Sequence, residues 1–215
     1  MREDTDKLIE RLAHDAASVR PLAPPLLRAG AFVAIVSAFM AAFAAFGGNA
    51  GETLAHFADM PFTMELVGAA LGGVGAVVAA MVLSIPGRSR LWFYLPLPGV
   101  ALWLVGGGLQ CYREVEALGY VARSMFASQA CFLFILSAGV PTAAVAYFLL
   151  RRSLSIDVVR VTALAAMGGA LMAAVLLQFV HVHGTNPVDF GTHVVAVVAV
   201  MLFAIVAGRI DVARR

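Results

Sequence analysis

Long runs of apolar residues, separated by short polar connections, recur along the 215-residue chain. At about 1.5 Å of rise per residue, each run is long enough as an α-helix to cross a hydrocarbon core of roughly 30 Å. None shows the alternation that marks the strands of a membrane barrel. The pattern therefore predicts an all-α, polytopic membrane protein with a bundle of six transmembrane helices and no strands. The predicted spans are Leu26 to Phe46, Phe62 to Ile85, Leu91 to Leu109, Met125 to Leu150, Val158 to Val180 and Phe190 to Ala207.

The first 25 residues follow a different pattern, because charged residues are interleaved there with apolar ones. The apolar side chains recur at helical spacing and so share one face of a helix. Acidic residues near the start suit the positive end of the helix dipole. We predict a short amphipathic helix from near Thr5 to near Ser18 or Val19. Its apolar face consists of Leu8, Ile9, Leu12, Ala13 and Ala16.

A proline run follows this helix. The residue before Pro21 disfavours the α conformation, so the helix should stop there. Pro21, Pro24 and Pro25 then predict an extended, semi-rigid spacer that leads into the first span. The chain thus divides into residues 1–25, an N-terminal segment with its proline-rich linker, residues 26–208, the transmembrane domain, and residues 209–215, a short tail.

An isolated helix of about 13 residues is marginal in water, so the N-terminal helix needs a surface to pack against. Five acidic residues among the first fifteen disfavour an anionic lipid surface, which attracts a basic polar face. One interpretation is that the helix packs into a groove on a protein partner. The alternatives are a passive membrane anchor and packing against the chain's own 86–90 or 151–160 connections.

Composition and charge support a membrane protein and predict its orientation. Apolar residues make up 61% of the chain and charged residues 13%, far from the average of about 25% charged in soluble domains. Thirteen of the 15 Lys and Arg residues lie in residues 1–28, the 86–90 and 151–160 connections or the C-terminal end. The positive-inside rule therefore predicts that both termini are cytoplasmic. The connections 47–61, 110–124 and 181–189 then face outward.

The charged N-terminus lacks the apolar core of a signal peptide, so we expect it to be retained.

Glycines and prolines within the spans predict where helices pack closely and where they bend. Glycines indicate close approach of neighbouring backbones, and internal prolines predict kinks in the third and fourth spans. The glycines are Gly68, Gly72, Gly73, Gly75, Gly106 to Gly108, Gly168 and Gly169, and the prolines are Pro96, Pro98 and Pro141.

Several function classes have no support in the sequence. The spans hold few polar groups beyond Glu65 and Gln178, both near the outer ends, whereas a transporter needs ionisable groups near mid-membrane. We find no Ser-His-Asp arrangement, GxxxxGK loop, HExxH helix or CxxC pair. The sequence therefore does not predict an enzyme, and nothing in it predicts direct contact with nucleic acid.

Cysteines and histidines gather near the predicted outer face. Thiolate and imidazole groups suit copper, zinc or another heavy metal, and an oxidising compartment equally permits a disulfide between Cys111 and Cys131. His181 and His183 would share a side in an extended segment but not in a helix. The candidate signal-sensing residues are Cys111, Cys131, His181, His183 and His193, and the candidate metal ligands are His181, His183, His193 and Cys131.

A composite of short motifs resembles the NrsF family, membrane-bound negative regulators of extracytoplasmic-function sigma factors. The N-terminal motif is Leu8-Ile9-x-x-Leu12-Ala13-x-Asp15 followed by Val19-Arg20-Pro21-Leu22-x-Pro24-Pro25-x-x-Arg28-Ala29. Further matches are Arg88-Ser89-Arg90-Leu91-Trp92, Cys131 with Ser137 and Pro141, Arg151-Arg152 and His181. The resemblance implies a six-span anti-sigma factor of the bacterial inner membrane, whose cytoplasmic segment binds a sigma factor until an envelope signal arrives.

The resemblance also assigns roles to residues. Leu8, Ile9 and Leu12 would be apolar anchors in the sigma factor, while Val19, Arg20, Pro21 and Leu22 would fix the end of the bound segment. No cofactor is expected to be required. The cysteines and histidines make a metal ion or redox stress the candidate signal.

This sequence departs from the family at Val182, where members commonly have a cysteine. Two alternatives remain open: a metal-binding or redox-responsive membrane sensor that acts on another partner, and a small transporter.

Overall fold

The structure, a computed structural model, is all-helical throughout the residues it describes, which are 2–15, 21–47, 50–118, 125–151, 153, 157–180 and 187–214. The α-helices are α1 (Arg2–Asp15), α2 (Pro25–Gly47), α3 (Ala50–Ala55), α4 (Met60–Leu83), α5 (Leu97–Leu118), α6 (Met125–Leu150), α7 (Val158–Gln178) and α8 (Pro187–Ala213). Two short 3₁₀ helices, η1 (His56–Ala58) and η2 (Arg90–Tyr94), precede α4 and α5. The predicted fold class is confirmed.

Six of these helices are long and apolar enough to cross a membrane, namely α2, α4, α5, α6, α7 and α8. Two of them form the centre of the bundle. In α7, 89% of the residues in the most apolar stretch are buried, and in α4 61% are, against 17% in α2 and 22% in α8. α4 packs against α5, α7 and α2, while α7 also contacts α6 and α8. The remaining spans thus surround the α4–α7 pair and leave their outer faces for lipid.

The alternating direction of the spans gives the bundle two ends. At one end α2, α5 and α7 begin and α4, α6 and α8 finish, and this is called the Arg28 end after a residue that lies there. At the opposite end α4, α6 and α8 begin, and this is called the Glu65 end. The proline linker from α1 enters the bundle at the Arg28 end.

The third span differs from its prediction. Residues 90–94 form η2, so α5 begins at Leu97, and it continues past the apolar run to Leu118. Pro96 precedes the helix and Pro98 is its second residue, where a missing N–H costs no intrahelical bond. The predicted kinks at Pro96 and Pro98 are therefore wrong, because both prolines help the helix to begin. Pro141 does lie inside α6, as predicted.

Glycines allow α4 and α5 to approach closely. A Cβ at Gly68 would overlap the backbone of Trp103, and one at Gly106 would overlap the backbone of Glu65. Close approach is thus confirmed at these two positions. It is wrong at Gly108, where an added Cβ meets nothing within 4 Å because this side of α5 faces away from the bundle.

This contrast yields a matched pair of variants on one helix. Gly106→Ala should lower the free energy of unfolding by about 3 kcal/mol, since overpacking against a backbone forces the two helices apart. Gly108→Ala should be neutral or slightly stabilising, since alanine favours helix by about 1 kcal/mol over glycine. Thermal unfolding of both variants in detergent measures the difference. Equal midpoints would contradict the close α4–α5 contact.

Candidate functional site

The N-terminal helix presents an uncovered apolar face. The exposed fractions of Leu8, Ile9 and Leu12 are 56%, 59% and 64%, so none of the three is packed into the bundle. α1 begins at Arg2, three residues before the predicted start at Thr5, because the acidic first turn is itself helical. Its described part ends at Asp15. The predicted end near Ser18 or Val19 lies outside the described residues.

The opposite face of α1 is polar. The side chain of His14 is 90% exposed and contacts the Asp15 carboxylate at 3.6 Å, with both groups facing water. Lys7 and Glu10 are also exposed. α1 is therefore amphipathic, with its polar and apolar faces both accessible.

The linker connects this helix to the first span. Residues 21–24 have no regular secondary structure and are exposed, as the prolines predict. Leu22 is 45% exposed and so leaves part of its side chain available to a partner. Val19 and Arg20, the other two residues predicted to fix the end of the bound segment, lie outside the described part of the chain.

Arg28 anchors the start of α2 inside the bundle. It is 6% exposed, and its guanidinium donates hydrogen bonds to four acceptors from two other helix ends. Nη1 donates to the Ser153 Oγ at 2.6 Å and the Leu149 carbonyl at 3.3 Å. Nη2 donates to the Ser84 Oγ at 3.3 Å and the Met81 carbonyl at 3.4 Å. These five residues are called the Arg28 cluster.

Helix ends explain how this buried charge is tolerated. The Met81 and Leu149 carbonyls belong to the last turns of α4 and α6, where carbonyls have no intrahelical partner. Both helix dipoles also direct their negative ends toward Arg28, which favours a cation there. The guanidinium thus caps two helices at once, three residues after Pro25. The first span and the linker are held to the ends of α4 and α6 by one side chain.

Removing this side chain should destabilise the bundle. We expect Arg28→Ala to lower the free energy of unfolding by about 3 kcal/mol, because hydrogen bonds to a charged group contribute about 1.5–3 kcal/mol. The Leu149 carbonyl would lose its donor, whereas the Met81 carbonyl would keep the Ser84 hydroxyl at 2.7 Å. Arg209→Ala is the control, since Arg209 is exposed at the same end of the bundle and should change stability by less than about 0.5 kcal/mol. Thermal unfolding in detergent compares the two. Similar midpoints would show that Arg28 caps nothing.

A second polar cluster lies at the Glu65 end. Glu65 on α4 is 1% exposed, and Gln178 on α7 donates from Nε2 to its Oε1 at 3.1 Å. Gln110 on α5 donates from Nε2 to the other carboxylate oxygen. The Thr53 hydroxyl donates to the backbone carbonyl of Gln178 at 3.1 Å, and this bond ties α3 to the bundle. The Glu65 cluster, residues 65, 110 and 178, therefore joins α4, α5 and α7 through a single carboxylate.

These two clusters were not predicted as sites. The sequence presents Glu65 and Gln178 as isolated polar residues, and Arg28 as one of the basic residues near the N-terminus and part of the family motif. The available signal was an ionisable residue inside an apolar run, which in a membrane normally requires a buried partner. Their partners come from distant helices, so no local spacing predicted the pairing.

The candidate sensing residues are buried where they are described. Cys111 and Cys131 are not in a disulfide and are 8% and 6% exposed, and His193 is 5% exposed. Cys131 packs with Ile135 on its own helix and with residues of α7 and α8. Cys111 follows Gln110 on α5, whose main neighbour is α4. The two cysteines thus lie on helices with different main neighbours, and the structure contains no disulfide between them.

The predicted metal site is only partly covered by the structure. Among the described residues, no group of three His, Cys, Asp or Glu side chains is arranged to hold a metal ion. His181 and His183, two of the four candidate ligands, lie outside the described residues. The proposed set of Cys131, His181, His183 and His193 therefore stays a prediction.

Together, the fold and these sites define a class: a six-span helical membrane protein with an accessible amphipathic helix on a proline linker. A family model described as NrsF, negative regulator of sigma F, matches residues 12–212, nearly the whole chain. The chain belongs to this family, whose name implies a negative regulator with a sigma factor as its partner rather than an enzyme. The matched range begins at Leu12, so Leu8 and Ile9 precede it. Comparison with curated proteins and with solved structures gives no match.

Proposed function

We propose that the chain is an anti-sigma factor that holds an extracytoplasmic-function sigma factor at the bacterial inner membrane and releases it on an envelope signal. One observation carries this proposal: Leu8, Ile9 and Leu12 form an apolar face that is more than half exposed on an otherwise polar helix. An amphipathic helix of this kind binds by laying its apolar residues into a groove on a partner. A sigma factor is the partner that the family name implies.

The affinity of such a contact follows from the area it buries. Each of the three aliphatic side chains contributes about 1.5–3 kcal/mol when fully buried, before the cost of ordering the segment. The linker, with Pro21 and Leu22, extends the contact, and the predicted role of Arg20 is a forked pair with a sigma-factor carboxylate. The three anchors together therefore contribute roughly 4.5–9 kcal/mol before that cost, and the contacts of the linker add to it.

The proposal requires the N-terminal helix to face the cytoplasm. The distribution of Lys and Arg supports this, because the connections assigned to the outside contain only Arg113 and Arg123. Arg113 also pairs with the Asp59 carboxylate at 2.7 Å, which offsets its charge.

Labelling tests this orientation. A membrane-impermeant thiol reagent should label a His14→Cys variant only after cells are permeabilised, against a background of two buried native thiols. Labelling in intact cells would contradict the orientation.

A deletion tests the proposed function most simply. The full chain, purified in detergent, should bind an extracytoplasmic-function sigma factor of the same cell, and the chain without residues 2–15 should not. The deletion should leave thermal unfolding unchanged, because the apolar face of α1 is not part of the core. A deleted chain that folds and still binds the sigma factor would overturn the proposal.

For the signal, we propose a soft metal ion such as copper or zinc, or a thiol oxidant, with Cys111, Cys131, His181, His183 and His193 as the responding residues. Soft ligands of this kind bind these metals well, and no resident cofactor is needed. The Arg28 cluster offers a route to the linker, because it joins the end of α6, the helix of Cys131, to the start of α2.

We expect Cys131→Ser to change the inducing concentration of metal or oxidant in a reporter strain that measures sigma-dependent transcription. Cys111→Ser, tested beside it, separates the contributions of the two thiols. An unchanged dose response for Cys131→Ser would remove this residue from the sensing site.

A further inference from the structure

A basic pocket opens at the Arg28 end of the bundle. It is a cavity of about 380 Å³ between the end of α4, η2 and the start of α7. Three arginines line it, Arg88, Arg90 and Arg160, together with the single acidic residue Asp157. Gly87 has φ of +81°, a conformation that favours glycine, and this turn directs the chain into Arg88 and η2.

The charges of this basic pocket do not balance. Arg160 pairs with the Asp157 carboxylate at 3.0 Å, and Asp157 also accepts from the Arg160 N–H at 3.3 Å as the cap of α7. Within the described part of the chain, no carboxylate forms an ion pair with Arg88 or Arg90. Among the described residues, the guanidinium groups of Arg88 and Arg90 therefore line the cavity without a paired carboxylate. Guanidinium groups bind phosphate oxygens through paired hydrogen bonds, so the pocket suits a phosphate group.

The rest of the pocket wall is apolar. Leu83, Ile85, Phe93 and Val161 contribute to its lining. A free phosphate ion would leave these side chains without a matching partner. A phosphate that carries a hydrocarbon portion would contact both parts of the wall.

The surface next to the pocket indicates where this hydrocarbon portion would lie. Leu91, Trp92 and Tyr94 on η2 are 75%, 38% and 57% exposed. Exposed aromatic side chains at the end of a membrane span are typical of the boundary between lipid and water. The pocket thus opens beside a surface of η2 that suits lipid at the depth of the headgroups.

We propose that this basic pocket binds the phosphate headgroup of an anionic phospholipid, with Arg88 and Arg90 as the main phosphate contacts. Basic pockets between membrane helices are suited to such headgroups. The acyl chains lie along the exposed apolar side chains of η2. Leu83 and Ile85 flank Ser84, which accepts a hydrogen bond from Arg28, so the bound lipid touches the turn that anchors the first span. This site is independent of the sigma-factor contact on α1.

Lipid binding by the purified full chain tests the proposal. Phosphatidylglycerol added to the chain in detergent should be retained in native mass spectrometry and should raise the midpoint of thermal unfolding, whereas phosphatidylcholine should do neither. A triple variant with Arg88→Gln, Arg90→Gln and Arg160→Gln should bind phosphatidylglycerol about 25-fold more weakly. Each basic side chain near a membrane surface contributes about fivefold to such binding, and Asp157 offsets one of the three.

The matched control carries the same loss of charge elsewhere at this end. Arg151, Arg209 and Arg214 are exposed and do not line the pocket, so replacing all three by Gln should leave lipid affinity close to that of the wild type. A second pocket variant, with all three arginines replaced by Lys, keeps the charge and should show an intermediate affinity. Binding by this variant would show that changes at these three positions do not abolish lipid binding through misfolding.

Three outcomes would overturn the proposal. The pocket variant and the control variant could lose affinity equally, which would indicate general attraction to charge. Inorganic phosphate alone at the same concentration could stabilise the chain as much as phosphatidylglycerol, which would indicate a site for free anions. The pocket variant could keep its lipid preference but lose sigma-factor binding, which would assign the pocket to an acidic surface of that protein instead.

Discussion

Leu12→Asp is expected to weaken sigma-factor binding by about a hundredfold or more. Leu12 is 64% exposed at the centre of the apolar face of α1, so the change should leave the bundle intact. In the complex it would remove about 1.5–3 kcal/mol of apolar burial and place a carboxylate in an apolar groove, at a further cost in free energy. The dissociation constant of the full chain for the sigma factor, measured in detergent by surface plasmon resonance or isothermal titration calorimetry, checks this expectation.

His14→Asp provides the matched control for this variant. It introduces the same negative charge in the same last turn of α1, but on the polar face, where the side chain is already 90% exposed. Both substitutions are equally unfavourable to the helix dipole, so any difference between them reports on the face and not on helix stability. We expect His14→Asp to bind within about threefold of the wild type, which is less than 1 kcal/mol. Equal losses in both variants would mean that the apolar face is not the contact.

Glu65→Leu is expected to destabilise the bundle by about 4 kcal/mol. The leucine has a similar volume, but the buried amides of Gln110 and Gln178 would lose the carboxylate that accepts their hydrogen bonds. Each unsatisfied buried donor costs about 1–3 kcal/mol. The midpoint of thermal unfolding in detergent should fall by roughly 10 °C, since about 1 kcal/mol corresponds to about 2–4 °C in a chain of this size.

The conservative change at the same position separates hydrogen bonding from packing. Glu65→Gln keeps the shape and one carbonyl acceptor, so only one of the two amides loses its acceptor and the loss should be about 2 kcal/mol, half that of Glu65→Leu. If Glu65→Leu proved as stable as Glu65→Gln, the Glu65 cluster would not hold α4, α5 and α7 together.

The spans themselves could be predicted well because the length of an apolar run decides whether a helix can cross a bilayer. The predicted fourth span, Met125 to Leu150, has the same bounds as α6, where the Arg151-Arg152 pair ends the apolar run. The third span was less well predicted. Hydropathy locates the stretch that lipid tolerates, whereas Pro96 and Pro98 decide where the backbone can start an α-helix, and α5 continues through polar residues that face water.

The interior polar contacts could not be predicted in the same way. Arg28 bonds to residues on α4 and α6, and Glu65 bonds to residues on α5 and α7, so each contact joins positions between 45 and 125 residues apart. Helical spacing describes one helix at a time and carries no information about which helices are neighbours. The apolar face of α1 could be predicted because Leu8, Ile9 and Leu12 belong to one helix, and their exposure agrees with a surface that awaits a partner.

Site-specific photo-crosslinking in living cells tests the central claim most directly. A photoreactive phenylalanine analogue at position 12 of the full chain should crosslink to the sigma factor before the inducing signal and lose the crosslink after it. The same analogue at position 14, on the polar face of α1, should give little or no such product. Crosslinks from position 12 only to the chain's own helices, or equal sigma-factor crosslinks from both positions, would contradict the account.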